Sequence, residues 1–133
     1  MFGDIFTGND RRMLTELGFF AMGAGLSRVS DQIFSALEVL CAPGSEGSNA
    51  ARIGLAIAAM AREEPQAAVD ILRRSPPSDA ITAYLGIALA KNGATAEAKE
   101  LLGELLAADP ESPHADLARD MLATLNQGKG TLG

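Results

Sequence analysis

Helix breakers cut this chain into short lengths. Clusters containing Pro or Gly stand at Cys41-Ala42-Pro43-Gly44-Ser45, Glu64-Pro65, Ser75-Pro76-Pro77-Ser78, Lys91-Asn92-Gly93, Ala108-Asp109-Pro110 and Ser112-Pro113. Between them lie segments of about 10 to 15 residues whose apolar positions recur at helical spacing. Ala98, Leu101, Leu102, Leu105 and Leu106 follow the spacing of one buried helix face, and Leu117, Met121, Leu122 and Leu125 form a narrower stripe. Ala and Leu carry most of the apolar content, with no Trp and one Tyr, a composition suited to thin, closely packed helices and not to sheet.

Helix starts are marked as well. Asn9 or Asp10, Ser48 or Asn49, Ser78 or Asp79, Thr95 and Ser112 stand where a side-chain oxygen can accept from first-turn N–H groups. Pro65 and Pro113 suit a first helical position, where the missing N–H costs nothing. The pattern predicts seven helices, at about 9–23, 29–41, 49–62, 65–74, 79–91, 95–107 and 113–125. They form a single domain over residues 9–125, with 1–8 and 126–133 expected to be flexible ends.

Short helices joined by tight turns call for a repeat test. Asp79 to Ser112 fits the tetratricopeptide (TPR) pattern of about 34 residues. Leu85-Gly86 stand at its Leu-Gly pair, Ala98 follows twelve residues after Gly86, Leu102 four later, and Asp109-Pro110 close the unit. The small residues have a physical role: the two helices of a pair cross there, and a larger side chain would hold them apart. The same spacing recurs upstream as Leu55-Ala56, Ala68 and Leu72, and as Leu17-Gly18, Ser30 and Phe34. Leu14, Arg52 and Thr82 replace the large aromatics usual at the start of each first helix, and Pro76-Pro77 shorten the second repeat. The expected fold is all-α: three TPR-like helix pairs stacked as a short right-handed superhelix, closed by a C-terminal capping helix.

Charge and cysteine content narrow the setting. Net charge is −6 and the 11 Lys and Arg are dispersed, which argues against nucleic acid and against an anionic membrane surface. Cys41 is the only cysteine, so no internal disulfide can form and a reducing compartment is expected. Asp4 stands where a signal peptide would carry basic residues. The most apolar stretch, Ala50 to Ala61, falls well short of the roughly 20 residues a membrane span requires. A cytoplasmic protein is expected.

Constellations for chemistry are sparse. His114, the sole histidine, has only Asp116 as an acidic neighbour in sequence and reads as a solvated first-turn residue. Cys41 reads as a buried, unreactive thiol, and one Cys with one His cannot complete a zinc site. Gly18, Gly23 and Gly25 follow no strand and form no phosphate loop, and Glu97, Glu100 and Glu104 read as a solvated helix face. No catalytic residues, metal or cofactor are expected, and the chain is not expected to be an enzyme.

The surface that carries information is the inner side of the first helices. The repeat register places Thr15, Phe19 and Met22 there in the first pair, Ile53, Ile57 and Met60 in the second, and Ala80, Ala83, Ile87 and Ala90 in the third. A carboxylate clamp would put Lys, Arg and Asn on this face; here all but Thr15 are apolar, with two adaptable Met side chains. These side chains either pack on one another or form a groove for a partner. The third helix is apolar nearly all round, which favours a groove that something covers.

Residues 16 to 107 resemble the TPR-like chaperones of bacterial type III secretion, most of all the co-chaperone of the needle subunit. The residues that carry the likeness are Glu16 with Ala21-Met22-Gly23-Ala24-Gly25, Ile33 with Ala36-Leu37, Ala50-Ala51-Arg52-Ile53 with Ala68, and Pro76-Pro77 with Ala83-Tyr84-Leu85-Gly86. The resemblance implies a cytoplasmic chaperone that cradles an amphipathic helix of a needle or filament subunit in its concave groove, often with a second small helical co-chaperone. Phe19, Met22, Ile53, Ile57, Met60, Ala83, Ile87 and Ala90 would line that groove. Self-association is expected when the client is absent. A translocator chaperone of the same systems, or a generic TPR scaffold, are the alternatives.

Overall fold

Seven helices run through residues 8–127, the part of the chain that the computed structural model describes: α1 (Gly8–Gly23), α2 (Ser27–Leu40), α3 (Glu46–Ala61), α4 (Pro65–Arg73), α5 (Asp79–Lys91), α6 (Thr95–Ala108) and α7 (Ala115–Gln127). No strand occurs among the described residues. Gly8, Asn126 and Gln127, expected in flexible ends, are helical; the rest of those ends lies outside the described residues.

Helix boundaries follow the caps that form. The Ser48 N–H donates to Ser45 Oγ at 3.2 Å, so α3 starts a turn earlier than Ser48 or Asn49 would have started it. Ser78 Oγ accepts from the Ile81 N–H at 3.1 Å and starts α5 where expected, and Pro65 opens α4. Thr95 is instead the first residue of α6, behind Ala94, which supplies no side-chain cap. Pro113 and His114 are spent in a turn in which the His114 N–H donates to Ser112 Oγ at 3.2 Å, and α7 begins only at Ala115. The two prolines after Arg73 stop α4 at nine residues, the shortest of the described helices.

The turns inside the three pairs share one backbone geometry. The Leu26 N–H donates to Ala21 O at 2.8 Å, the Glu64 N–H to Ala59 O at 2.9 Å and the Ala94 N–H to Leu89 O at 2.8 Å. Each donor follows a residue in the left-handed region: Gly25 at φ 82°, Glu63 at φ 62° and Gly93 at φ 86°. This is the helix-ending arrangement in which a left-handed residue lets the next N–H reach back to an orphan carbonyl. Gly25, Glu63 and Gly93 are spaced by 38 and 30 residues, as are Gly18, Ala56 and Gly86, so backbone and packing repeat in step. Glu63 is the one non-glycine of the three and bears the cost of its Cβ. Glu63→Gly is expected to raise stability by about 0.5–1 kcal/mol, read as a higher thermal midpoint.

Small residues do sit at the crossings. Ala56, Ala68, Ala98, Ser30, Phe34 and Leu102 are fully buried, and Leu72 nearly so. A Cβ added to Gly86 would stand 2.5 Å from Leu102 Cδ2, and one added to Gly18 would stand 2.5 Å from the Phe34 ring. Gly86→Leu and Ala98→Leu are each expected to cost about 1–3 kcal/mol by overpacking. A thermal melt unchanged in both variants would contradict this packing.

Within each pair the helices touch: α1 with α2, α3 with α4, α5 with α6. Between pairs, α1, α3, α5 and α7 also touch in succession, whereas α2, α4 and α6 form no comparable row. The first helices therefore make a continuous inner row and the second helices splay outside it, an arrangement compatible with a TPR-like stack. α3 is central, touching α1, α2, α4 and α5. Its apolar character on all sides answers to these four neighbours, and needs no partner to account for it.

Arg52, which replaces an aromatic, ties the first two pairs together. It forms an ion pair with Glu38 of α2, and its Nε donates to Ser75 Oγ at 2.5 Å, just beyond α4. About three turns further on, at the C-cap of α3, Arg62 reaches Asp31 of α2 at 2.8 Å. On the outer side Glu97 meets Arg73 at 2.6 Å, so it is not merely solvated. Two apolar clusters result, one around Phe34, Leu37 and Ala51, the other running from Ile53 to Leu125.

Candidate functional site

The inner row is where the structure leaves an apolar depression. Ile57, Met60 and Ala61 of α3, with Tyr84, Ile87 and Lys91 of α5, surround a cavity of about 370 Å³. Beside it, Met60, Glu63, Pro65, Ala90, Lys91, Met121 and Thr124 surround one of about 360 Å³. Met60 and Lys91 border both, so the two form one depression across α3, α5 and the closing helix α7. Residues 57 and 60–61 are a turn apart on α3, and 84, 87 and 91 recur on one face of α5. Two adjacent helices thus present matching stripes.

Of the eight residues expected to line a groove, Ile57, Met60 and Ile87 come together here, with Ala90 at the neighbouring end. Ile53 and Ala83 do not line it: they are 8% and 0% exposed and belong to the core, while Ala90, at 7%, borders the depression from the core. The first helices approach closely because methyl-bearing Ala56, Ala59, Ala83 and Ala88 sit among them, so residues turned toward the seam lose access to solvent. Ala90 borders the same cavity as Met121 of α7. Phe19 and Met22 lie apart from the depression. Phe19 packs edge-on to Phe34, with ring centroids 4.9 Å apart, and Met22 packs on the same small cluster. Thr15 is turned to its own helix, its Oγ1 donating to Arg11 O at 2.8 Å.

Tyr84, Lys91 and Met121 were not among the expected lining residues. Tyr84 and Lys91 could have been found, since each shares the helical stripe of Ile87. Met121 could not, because only the fold brings α7 against α5 and so to the border of this cavity. Lys91 places a cation at the rim of an otherwise apolar surface, with Tyr84 adding a ring that carries a polar tip.

Residues with chemical potential lie elsewhere and apart. Cys41 is half-buried beside Arg11, Leu40 and Gly47, and burial pushes its thiol above the ordinary range, with the Arg11 charge opposing. A raised thiol holds less thiolate at neutral pH, which fits an unreactive side chain. His114 is half-buried in the turn before α7, far along the chain from Cys41. Among the described residues no group of three or more His, Cys, Asp or Glu is placed to hold a metal ion, and no helix is long and apolar enough to cross a membrane. What the geometry offers is an apolar, partly open surface for another chain's side chains. Comparison with protein-family models, with curated proteins and with solved structures finds no match for this chain in any of the three.

Proposed function

We propose that this protein is a non-enzymatic binding protein that receives an amphipathic helix on its inner face, acting as a cytoplasmic chaperone of a bacterial type III secretion system. Its client is a needle or filament subunit, held so that it cannot polymerise early. One observation carries the reading: the depression bordered by Ile57, Met60, Tyr84, Ile87 and Lys91. Two parallel apolar stripes on adjacent helices suit a third helix laid between them, anchored by side chains at i, i+3 or i+4, and i+7. Lys91 at the rim favours an acidic residue beside the client's apolar stripe. The class of client rests on the resemblance of residues 16 to 107 to the needle co-chaperones.

Co-expression with a filament-forming secreted subunit of the same genome tests it. A stable soluble complex is expected, with the subunit failing to sediment as filaments while the chain is present in equal amount. A subunit that polymerises at an unchanged rate would overturn the needle-chaperone reading. Capture of a translocator in its place would move the assignment to the translocator chaperones, and capture of neither would leave a general scaffold.

A further inference from the structure

The core of this chain is in two parts, and the division falls on α3. The larger cluster runs from Ile53 of α3 to Leu125 of α7. The smaller one holds Phe34 and Leu37 of α2 and Ala51 of α3, with Leu14, Met22, Cys41 and Leu55 around them. α3 is the helix outside the first pair against which both α1 and α2 pack. Where it receives them it offers small residues. Gly47 lies against Cys41 and Arg11, Gly54 lies against the Phe34 ring, and Ala51 falls between the two glycines in sequence. Such residues allow close approach but carry little apolar area, so this seam gains less from burial than one built of Leu and Ile would.

Polar groups hold the seam instead. Glu38 of α2 pairs with Arg52, and Asp31, two turns earlier, pairs with Arg62 at 2.8 Å. The four side chains are 21–32% exposed, so dissolved salt reaches both pairs. Each arginine also has a second partner on its own side. Arg52 Nε donates to Ser75 Oγ at 2.5 Å and its Nη2 to Ile71 O at 3.3 Å, and Arg62 Nε donates to Glu64 Oε1 at 3.1 Å. Parting the seam would therefore return two carboxylates to water without stranding either cation. Among the described residues, the buried side-chain atoms that find no hydrogen-bond partner gather in this part of the fold. They are Ser30 Oγ and Asp31 Oδ1 of α2 and Asn49 Oδ1 in the first turn of α3; α4 to α7 contain none. Each costs free energy while closed in and is relieved by water.

The link at this seam also differs from the next one. Ala42, Pro43 and Gly44, between α2 and α3, are exposed, and the chain turns there at Gly44 with φ 80°. The link between α4 and α5 carries Pro76-Pro77, whose rings fix φ. We propose that α1 and α2 form a hinged leaf, which swings off α3 as one unit about the Pro43-Gly44 link while α3 to α7 stay folded, and which the Glu38–Arg52 and Asp31–Arg62 pairs latch shut. Opening bares the Phe34 ring, so the open leaf is a minor state, and its population rises with ionic strength. The inner depression is bordered by α3, α5 and α7 and outlasts the opening, so the leaf does not depend on the function proposed above.

Hydrogen exchange of the full chain, followed peptide by peptide with mass spectrometry, tests it. Amides of α1 and α2 are expected to exchange together through one opening, roughly tenfold or more faster than those of α5 and α6. Glu38→Gln and Asp31→Asn keep the side-chain shape and remove the charge. Each should speed exchange across both α1 and α2 by roughly threefold to fivefold and leave α5 and α6 unchanged. Raising sodium chloride from about 0.05 to 0.5 M should act in the same direction on the wild type and hardly at all on the double variant. Glu97→Gln, which breaks the Arg73 pair between α4 and α6, should leave α1 and α2 as they were. Exchange that fades inward from Gly8 along α1, with α2 as protected as α5, would be fraying of an end and would overturn the proposal. So would equal protection of every helix with each variant speeding all of them alike, because the chain would then open only as a whole.

Discussion

Phe34→Ala is expected to remove about 3–5 kcal/mol of stability, the largest effect of any single truncation in this chain. The Phe34 ring is fully buried in the slot where α1, α2 and α3 meet, and the backbones of Gly18 and Gly54 close on it from two helices. A Cβ on either glycine would stand 2.5 Å from the ring, so the ring and the two glycines are one fitted set. Truncating the ring leaves a cavity that neighbouring Leu14 and Met22 can only partly fill. Against the 5–15 kcal/mol typical of a domain this is a large share, and the thermal midpoint should fall by roughly 10–20 °C. A paired measurement isolates the cause. Gly54→Ala should destabilise the wild type, because the new methyl strikes the ring, yet stabilise Phe34→Ala, where the methyl enters the vacated space and alanine favours the helix by about 1 kcal/mol. If the two substitutions simply add, the ring is not what the glycine accommodates.

Ile57→Asp and Ile87→Asp are expected to abolish capture of the client helix while the fold persists. Both side chains are half-buried at the border of the depression, so a carboxylate there keeps access to water in the free protein. In the complex that carboxylate would be desolvated against an apolar helix. Losing the burial of one such anchor costs about 1.5–3 kcal/mol, and stranding a charge adds to it, so each variant should weaken binding by roughly 100-fold or more. Glu100→Lys, on the exposed side of α6, should leave capture intact. Ile53 is unsuitable for the same test: at 8% exposure its replacement by Asp would unfold the core before it informed on binding. Isothermal titration with the client subunit, with circular dichroism as the folding control, separates the cases. Release of the client by Glu100→Lys but not by the Ile variants would place the site on the outer surface.

The positions of the helices and the register of the repeat were legible in the chain before any coordinates. Proline and glycine act locally, through a missing N–H or a freed φ, so their effect can be read from the residues that carry them. The small residues at Gly18, Ala56 and Gly86, with Phe34, Leu72 and Leu102 opposite, were legible for a related reason: a repeated unit states its packing rule more than once. The spacings of 38 and 30 residues between those small residues reappear in the three turns at Gly25, Glu63 and Gly93, which links sequence periodicity to backbone hydrogen bonding.

Exposure was decided only by the tertiary structure. Helical phase identifies which residues share a side of α3, but Ile53 and Ile57 lie one turn apart on that side, and the closeness of the neighbouring first helices buries one and leaves the other half-open. Ala83 was lost to the core in the same way, and Ala90 keeps only a small share of its surface at the depression. Arg52, in sequence only a departure from an aromatic, became the clamp between pairs because Glu38 and Ser75, fourteen and twenty-three residues away, are brought to it by the stacking. Met121 reached the inner depression because α7 folds back along the row of first helices. Met13, Leu17 and Phe20 have the spacing of a buried stripe and are nonetheless bare, since α1 is the first helix of the array and no helix stands before it among the described residues. Periodicity determines the side of a helix on which a residue falls; whether that side is core or surface depends on neighbours that are distant in the chain.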